Sequence, residues 1–343
     1  METPSMRPDL AVCPCCGRDN RIGIHSRKDR RYRCHDCERT FAETKGTPLY
    51  NLKYPIWLVM VVLTLLAHGC PVKAIVAAFQ TDERTVMDWL RKAGRHGKAI
   101  QEKLVCDGNV ELEQVQADEL CITTQIGKIW MATAMLVRSR LFLWGEVSEN
   151  RDKSLILRLI KKVWQAGRNR VHQGVLLAVD GFSAYVGTIR KTFVTKKRTG
   201  KRGRPRHIAW PDLHIAQVVK RRTGGRVAEI TRNVVHGCSA RVREIVAKTQ
   251  GPSGGINTAF IERLNGTFRS RMPSLTRRTR HLARTDRRLE SEMFWSGVVY
   301  NFHRVHESLA TTPAVKAGKA GRPWSIFEIL LLRPGAKKLH GSM

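Results

Sequence analysis

Apolar residues recur along this chain with two different periods, and the change from one to the other divides it. Residues 1 to 12 have no period and read as a loose tail. From Pro55 to Ala93 the spacing is helical, in three segments. The first, Pro55 to Ala67, is almost wholly apolar and is broken by His68-Gly69-Cys70. The second, Pro71 to Phe79, places Val72, Ile75, Val76 and Phe79 on one face. Thr81 or Asp82 offers a turn and cap for the third, Glu83 to Ala93, which turns Val86, Trp89 and Leu90 inward and Arg84, Thr85, Asp88 and Arg91 outward. Residues 94 to 110 read as a linker helix or loop. Beyond them the apolar residues fall into strand-like runs at about 113–119, 129–138 and 141–148. A helix over Asp152–Ala166, a strand over Gly174–Val179 ending in Asp180-Gly181, a short helix from Ser183 and an apolar segment, Ile215–Val219, follow.

Such an order predicts a mixed sheet flanked by helices across residues 111–318, an RNase H-like α/β core, although a different α/β order remains open. The fold class expected is therefore mixed α+β: a small N-terminal module, a three-helix unit at 55–93, this core, and a C-terminal tail at 319–343.

Composition narrows the class of partner. Lys and Arg number 61 against 29 Asp and Glu, a formal charge of +32, which would repel itself unless a polyanion were a regular partner. An anionic membrane fits poorly, because the most apolar stretch, Tyr54–Ala67, is shorter than the roughly 20 residues a spanning helix needs. Asp9 and a cysteine cluster stand where a secretory signal would place an apolar run, so a cytoplasmic protein with nucleic acid as partner is expected. Nine cysteines are an odd number for disulfides, and four have metal-ligand spacing. Cys13, Cys16, Cys34 and Cys37 form two C-x-x-C knuckles that can complete a tetrahedral Zn²⁺ site within residues 13–44. Cys15 competes with them, and the standard spacing favours Cys13 with Cys16. The surrounding Arg27, Lys28, Arg30, Arg31, Tyr32 and Arg33 can meet phosphates or form a solvated face. The three-helix unit has the layout of a helix-turn-helix, with Arg84, Thr85 and Arg91 on the side that would enter a major groove; a generic three-helix bundle is the alternative.

Three acidic residues stand where a sheet can gather them: Asp118 in the first strand of the core, Asp180 at the end of the fourth, and Glu262 in a helical segment, Ala259 to Arg269. Carboxylates projecting from neighbouring strands and a helix can hold Mg²⁺ or Mn²⁺, and two such ions can activate an attacking hydroxyl and stabilise the leaving oxygen of a phosphodiester. Strand alternation sets Glu119 against Asp118 as the inward carboxylate. Glu262, Asn265 and Arg269 share one helical face and can line one cleft, the last two meeting phosphate.

With these residues in view, the chain resembles bacterial insertion-sequence transposases of the DDE type, most of all the insertion-sequence-one type. The resemblance rests on the cysteine knuckles, the helical unit, the segment Asn257-Thr258-Ala259-Phe260-Ile261-Glu262-Arg263-Leu264-Asn265-Gly266-Thr267-Phe268-Arg269, and the tail Tyr300-Asn301-Phe302-His303-Arg304-Val305-His306-Glu307-Ser308-Leu309 with Thr312-Pro313-Ala314. It implies that Asp118, Asp180 and Glu262 are the catalytic metal ligands, favouring Asp118 over Glu119. It implies also double-stranded DNA, the element ends and the target, as partner, and a nucleoid-associated homo-oligomer that binds terminal inverted repeats and performs cleavage and strand transfer. The competing expectation is a zinc-ribbon and helix-turn-helix transcription regulator whose nuclease-like domain is silent.

The basic insert, residues 190–206, lacks acidic residues, and its Lys201-Arg202-Gly203-Arg204-Pro205-Arg206 resembles an AT-hook. Arg202, Arg204 and Arg206 would then enter a narrow minor groove, or the segment is a basic loop that meets phosphate without preference. A second basic run, Arg277–Arg288, is expected to contact the DNA backbone. With the acidic triad accounting for the ions, His303 and His306 are expected to serve structure or DNA contact.

Overall fold

The computed structural model describes residues 5–124, 127–170, 174–198, 204–224, 226–275 and 285–334. It is a mixed α+β structure in two compact units. Met1–Leu104 and Phe268–Met343 make the first, and Val105–Thr267, lying between them in sequence, make the second. The division differs from the expected one, in which residues 111–318 stood together and 319–343 trailed as a tail.

In the first unit a three-stranded antiparallel sheet, β1 (Ile22–Ser26), β2 (Arg31–Cys34) and β3 (Thr40–Ala42), packs Tyr32 and Phe41 with Ala11, Cys13 and Cys34 into a small core. Ala11 is fully buried, and the Arg7 backbone N–H donates to the Tyr32 hydroxyl at 2.9 Å, so the end of the expected tail is part of this module. Three helices follow, α1 (Ile56–Ala67), α2 (Val72–Phe79) and α3 (Glu83–Ile100). Gln80 closes α2 with a φ of 50°, and the Asp82 side chain caps α3 by accepting from Arg84 N at 2.8 Å. Val72 and Ile75 are buried, Val76 and Phe79 half-buried, and Val86, Trp89 and Leu90 buried, as the periodicity expects.

The third helix does not stop at Ala93. It runs to Ile100, and Gly94 and Gly97 let a helix from the far end of the chain approach closely. A Cβ on Gly94 would meet Ser291 Cα at 2.5 Å, and one on Gly97 would meet the Phe294 carbonyl at 2.7 Å. That partner is α8 (Asp286–Phe302), followed by α9 (Pro313–Lys316) and α10 (Ile326–Leu331). Here the described part of the expected C-terminal tail, residues 319–334, contributes to the core. Ile326, Phe327, Ile329 and Leu330 are buried, and Ser325 and Glu328 form a reciprocal capping box at the start of α10. Arg333 donates to the carbonyls of Lys45 (2.9 Å) and Glu43 (2.7 Å), tying this end to the cysteine-bearing module.

The second unit is built on a six-stranded mixed sheet. Three antiparallel strands, β4 (Gln114–Thr124), β5 (Gly127–Leu136) and β6 (Phe142–Ser148), lead into α4 (Lys153–Gly167). The chain then returns to the other side of β4 with β7 (Val175–Asp180), parallel to it. Val175–Val179 are buried without alternation, as a central parallel strand covered on both faces requires. After α5 (Ala184–Thr192) come a two-stranded ribbon, β8 (Val194–Lys197) and β9 (Arg206–Ala209), and then β10 (Leu213–Thr223) parallel to β7. The edge strand β11 (Arg226–His236) completes the order β11-β10-β7-β4-β5-β6. From the next helix, α6 (Ser239–Gln250), Val242, Ile245 and Val246 pack on Leu176 and Ala216, and α7 (Ala259–Arg271) follows. β8, β9, β11 and α6 are not foreseen by the apolar pattern. The basic insert is thus a ribbon at its flanks, with the Phe193 and Trp210 rings 4.9 Å apart at its base. Arg204 and Arg206 are exposed there, while Arg202 lies outside the described residues, as does the basic run Arg277–Arg288 up to residue 284. Among the described residues no helix is long and apolar enough to cross a membrane.

Candidate metal centre and cysteine cluster

On β4 the polar residues Gln114, Gln116 and Asp118 alternate with apolar ones and so share one face of a buried strand. Each meets a helix on that face. Gln114 Oε1 accepts from Gln250 Nε2 at 3.0 Å, at the end of α6. Gln116 Oε1 accepts from the backbone N–H groups of Phe260 (3.1 Å) and Ile261 (2.9 Å), and its amide donates to the Asn257 carbonyl at 2.7 Å, fixing the first turn of α7. One step further, Asp118 Oδ2 accepts from Asn265 Nδ2 at 2.9 Å, and Asn265 Oδ1 accepts from Thr133 Oγ1 of β5 at 2.9 Å. Asn265 is therefore a buried strut that orients Asp118, not the phosphate contact expected of it. Arg269 lies past Thr267, outside this unit.

Glu119, on the opposite face of β4, is held by Arg151 Nε at 2.8 Å and by the buried Tyr185 hydroxyl at 2.9 Å. The second Arg151 nitrogen donates to Asp180 Oδ2 at 3.1 Å, and the guanidinium lies 4.3 Å from the Phe182 ring centroid. Asp180 Oδ1 accepts from Phe182 N at 2.9 Å. Carboxylate oxygens of Asp118, Glu119 and Asp180 all lie within 4.8 Å of one another. Alternation expects only one of the adjacent pair to face the site, and the exception has a local cause. The pairing of β4 with β7 runs to Ala117↔Val179, and β7 ends at Asp180. Past that level this edge of β4 has no β7 backbone beside it, so carboxylates from both faces reach round to one place.

Glu262 is not in that set. One turn before Asn265 on α7, it accepts from Thr258 Oγ1 at 2.5 Å and pairs with Lys220 Nζ of β10. Its charge is still felt: burial first, then the charges of Asp180 and Glu262, push the Asp118 carboxyl up to about 6, against the Asn265 amide and a backbone N–H that favour the anion. Burial and Asp180 likewise raise Glu119, opposed by Arg151 and Tyr185. Three carboxylates held this close, with one guanidinium between two of them, suit a hard divalent cation, whose oxygen ligands stand about 3–4 Å apart. The residues can bind a metal.

Arg151, Tyr185, Gln116 and Lys220 are not singled out by motif or spacing. A signal for Gln116 was present, since amides at alternate positions of an otherwise apolar strand must find partners when buried. Arg151 had none, because its role depends on where β7 ends.

In the first unit, Cys13, Cys16, Cys34 and Cys37 bring their sulfurs within 4.8 Å of one another, with Cys13–Cys37 at 3.5 Å and Cys16–Cys34 at 3.6 Å. The edge of a tetrahedron with metal–sulfur bonds of about 2.3 Å is about 3.8 Å. The four are therefore compatible with a zinc site. Gly17 (φ 72°) and Glu38 (φ 55°), each just after a knuckle, adopt the same left-handed turn. Burial works against the Cys13 thiolate, while the backbone N–H groups of Cys16 and Cys15 and the neighbouring thiols of Cys37 and Cys16 favour it and lower the Cys13 thiol. Cys15 stands apart and accepts from Arg39 at 3.7 Å. Tyr32 and Arg30, weighed as phosphate contacts, are structural, both bonded to the buried Glu43 (3.0 and 2.5 Å). His303 is structural too, its Nδ1 2.7 Å from the Trp324 carbonyl. On α3, Arg84 and Arg91 are exposed and Thr85 half-buried.

Compared with known proteins, the chain matches no protein-family model, and no curated protein matches its sequence.

Proposed function

We propose that this chain is a DDE-type transposase: a metal-dependent polynucleotidyl transferase that binds the ends of a mobile DNA element, cleaves there and joins the 3′-hydroxyl to a target phosphate. The observation that carries the reading is the convergence of Asp118 and Asp180, with Glu119, at the point where β7 ends beside β4. Three antiparallel strands, with further strands added in parallel beyond the first, support an RNase H-like core. In this reading Asp118 and Asp180 hold Mg²⁺ or Mn²⁺, and Glu262 completes the set on leaving Lys220. The ions supply activation of the attacking hydroxyl and stabilisation of the leaving oxygen. Asn265, Arg151 and Tyr185 keep the carboxylates in position. The α1–α3 unit acts as a helix-turn-helix with Arg84 and Arg91 towards duplex DNA, the cysteine module holds Zn²⁺, and the charge of +32 supplies salt-dependent affinity. Two ends must be joined in concert, so the working form is an oligomer.

The test is a supercoiled-plasmid assay with element-end duplexes and Mg²⁺ or Mn²⁺. Wild type should nick and join, and Asp180→Ala should lose at least about 100-fold, since metal stabilisation is worth several kcal/mol and each 1.36 kcal/mol is tenfold. Undiminished strand transfer by Asp180→Ala would sink the reading, and tight end binding without wild-type chemistry would favour the silent regulator.

A further inference from the structure

The first turns of α3 and α8 lie at the same end of the first unit. The two helices run in one direction, with Gly94 against Ser291, Gly97 against Phe294, and Gln101 bonded to Asn301 at 3.1 Å. Before these contacts they open into a groove lined by Arg84, Asp88 and Arg91 from α3 and by Thr285, Arg287 and Arg288 from α8. Four cations thus face one carboxylate. Asp88 is already engaged by Arg91 and by Lys92 at 2.8 Å, and Arg288 by the buried Glu292 at 3.0 Å. Arg84 and Arg287 are exposed, and among the described residues neither has a carboxylate partner in an ion pair. Each stands in the first turn of its helix, where the dipole is positive and opposes a cation. Parallel packing brings two such ends together. Glu83 and Asp286 stand in the same first turns and offset the dipoles, while Arg84 and Arg287 offer exposed N–H donors from which an anion bridging the groove can accept.

We propose that this groove is a binding site for the backbone of duplex DNA, in which Arg287 of α8 holds a phosphate beside the bases addressed by α3. The inference rests on the reading of α3 as the DNA-reading helix and extends it: the reading surface is made by two segments from opposite ends of the chain. A guanidinium suits a phosphate through paired N–H donors. Among the described residues no aromatic side chain lines the groove to serve as the stacking platform that single-strand binders use.

The experiment is fluorescence anisotropy of the full chain on a labelled mixed-sequence duplex and on one of its single strands, across a salt series. Wild type is compared with Arg84→Gln, Arg287→Gln and the double variant. Both side chains are exposed, and circular dichroism checks that each variant folds. Each single variant should weaken duplex binding about 3- to 10-fold and lower the slope of log affinity against log salt by about 0.9, the double by about twice that, with smaller effects on the single strand. Loss with Arg84→Gln but not Arg287→Gln would overturn the α8 site and leave α3 as the reader. No loss with either would overturn both readings. Loss with Arg287→Gln alone would overturn a shared groove, and equal loss on single strands would overturn the assignment to duplex DNA.

Discussion

Asp118 shows what a metal-ready carboxylate does to the fold that holds it. Its pKa stands at about 6 against an ordinary 3.8, so the stability tied to its neutral form is complete below about pH 4 and is lost as the pH rises through 6. Metal-free Asp118→Asn should therefore resist denaturant better than wild type at pH 7.5, by about 1–3 kcal/mol, and the two should converge near pH 4. Added Mn²⁺ should raise the melting temperature of wild type and leave the variant unmoved. His96 has the opposite sign. Buried, with Nε2 2.8 Å from the Ile329 carbonyl, it is held neutral by desolvation and lowered from 6.5 to about 4. Its contribution is present above about pH 6.5 and lost as the pH falls through 4. Denaturant titration should show His96→Gln less sensitive to acid than wild type between pH 7 and 4. At this scale Asp118, Asp180 and the four clustered cysteines were legible, because strand ends and C-x-x-C spacing are local signals. The company of Glu119 with Arg151 was not, since strand alternation says nothing of where a neighbouring strand stops.

Among helices, residues 94–110, which read as a linker helix or loop, are in part a continuation of α3 to Ile100. Glycine usually punctuates a chain, yet Gly94 and Gly97 lie within α3. In α3 they are instead the places where α8 comes closest. The same substitution should therefore have opposite effects at two glycines. At Gly187, exposed in α5 with nothing within 4 Å of where a methyl would stand, Gly187→Ala should stabilise by about 0.5–1 kcal/mol through helix propensity. At Gly94 a methyl meets Ser291 backbone at 2.5 Å, and Gly94→Ala should destabilise by about 1–3 kcal/mol. Denaturant melts of the two variants check both. The three helices, the meander β4–β6, α4 and β7 were legible because one face of each is apolar with a regular period. β11, exposed along most of its length, and the basic β8–β9 ribbon carry no such face.

For the whole molecule, the charge of +32 leads to the expectation of a polyanionic partner, while the division of the chain was hidden. Residues 319–334 looked like a tail because the burial of Phe327 and Leu330 depends on partners far off in sequence, which no local pattern reports. The cysteine module belongs to the same unit as α10. If the four cysteines hold a metal, as proposed, stripping it, or Cys34→Ser, should raise hydrogen exchange in β1–β3 and around Arg333 while leaving the β4–β7 sheet protected.

That interleaving bears on how the protein is made. On the ribosome, Val105–Thr267 emerges complete before α8, so the second unit can fold while the first still lacks the helix that packs on Gly94 and Gly97. A nascent chain released or truncated before Asp286 would carry an assembled carboxylate centre without a finished partner for α3. Synthesis is thereby ordered so that the segment proposed to find DNA matures last.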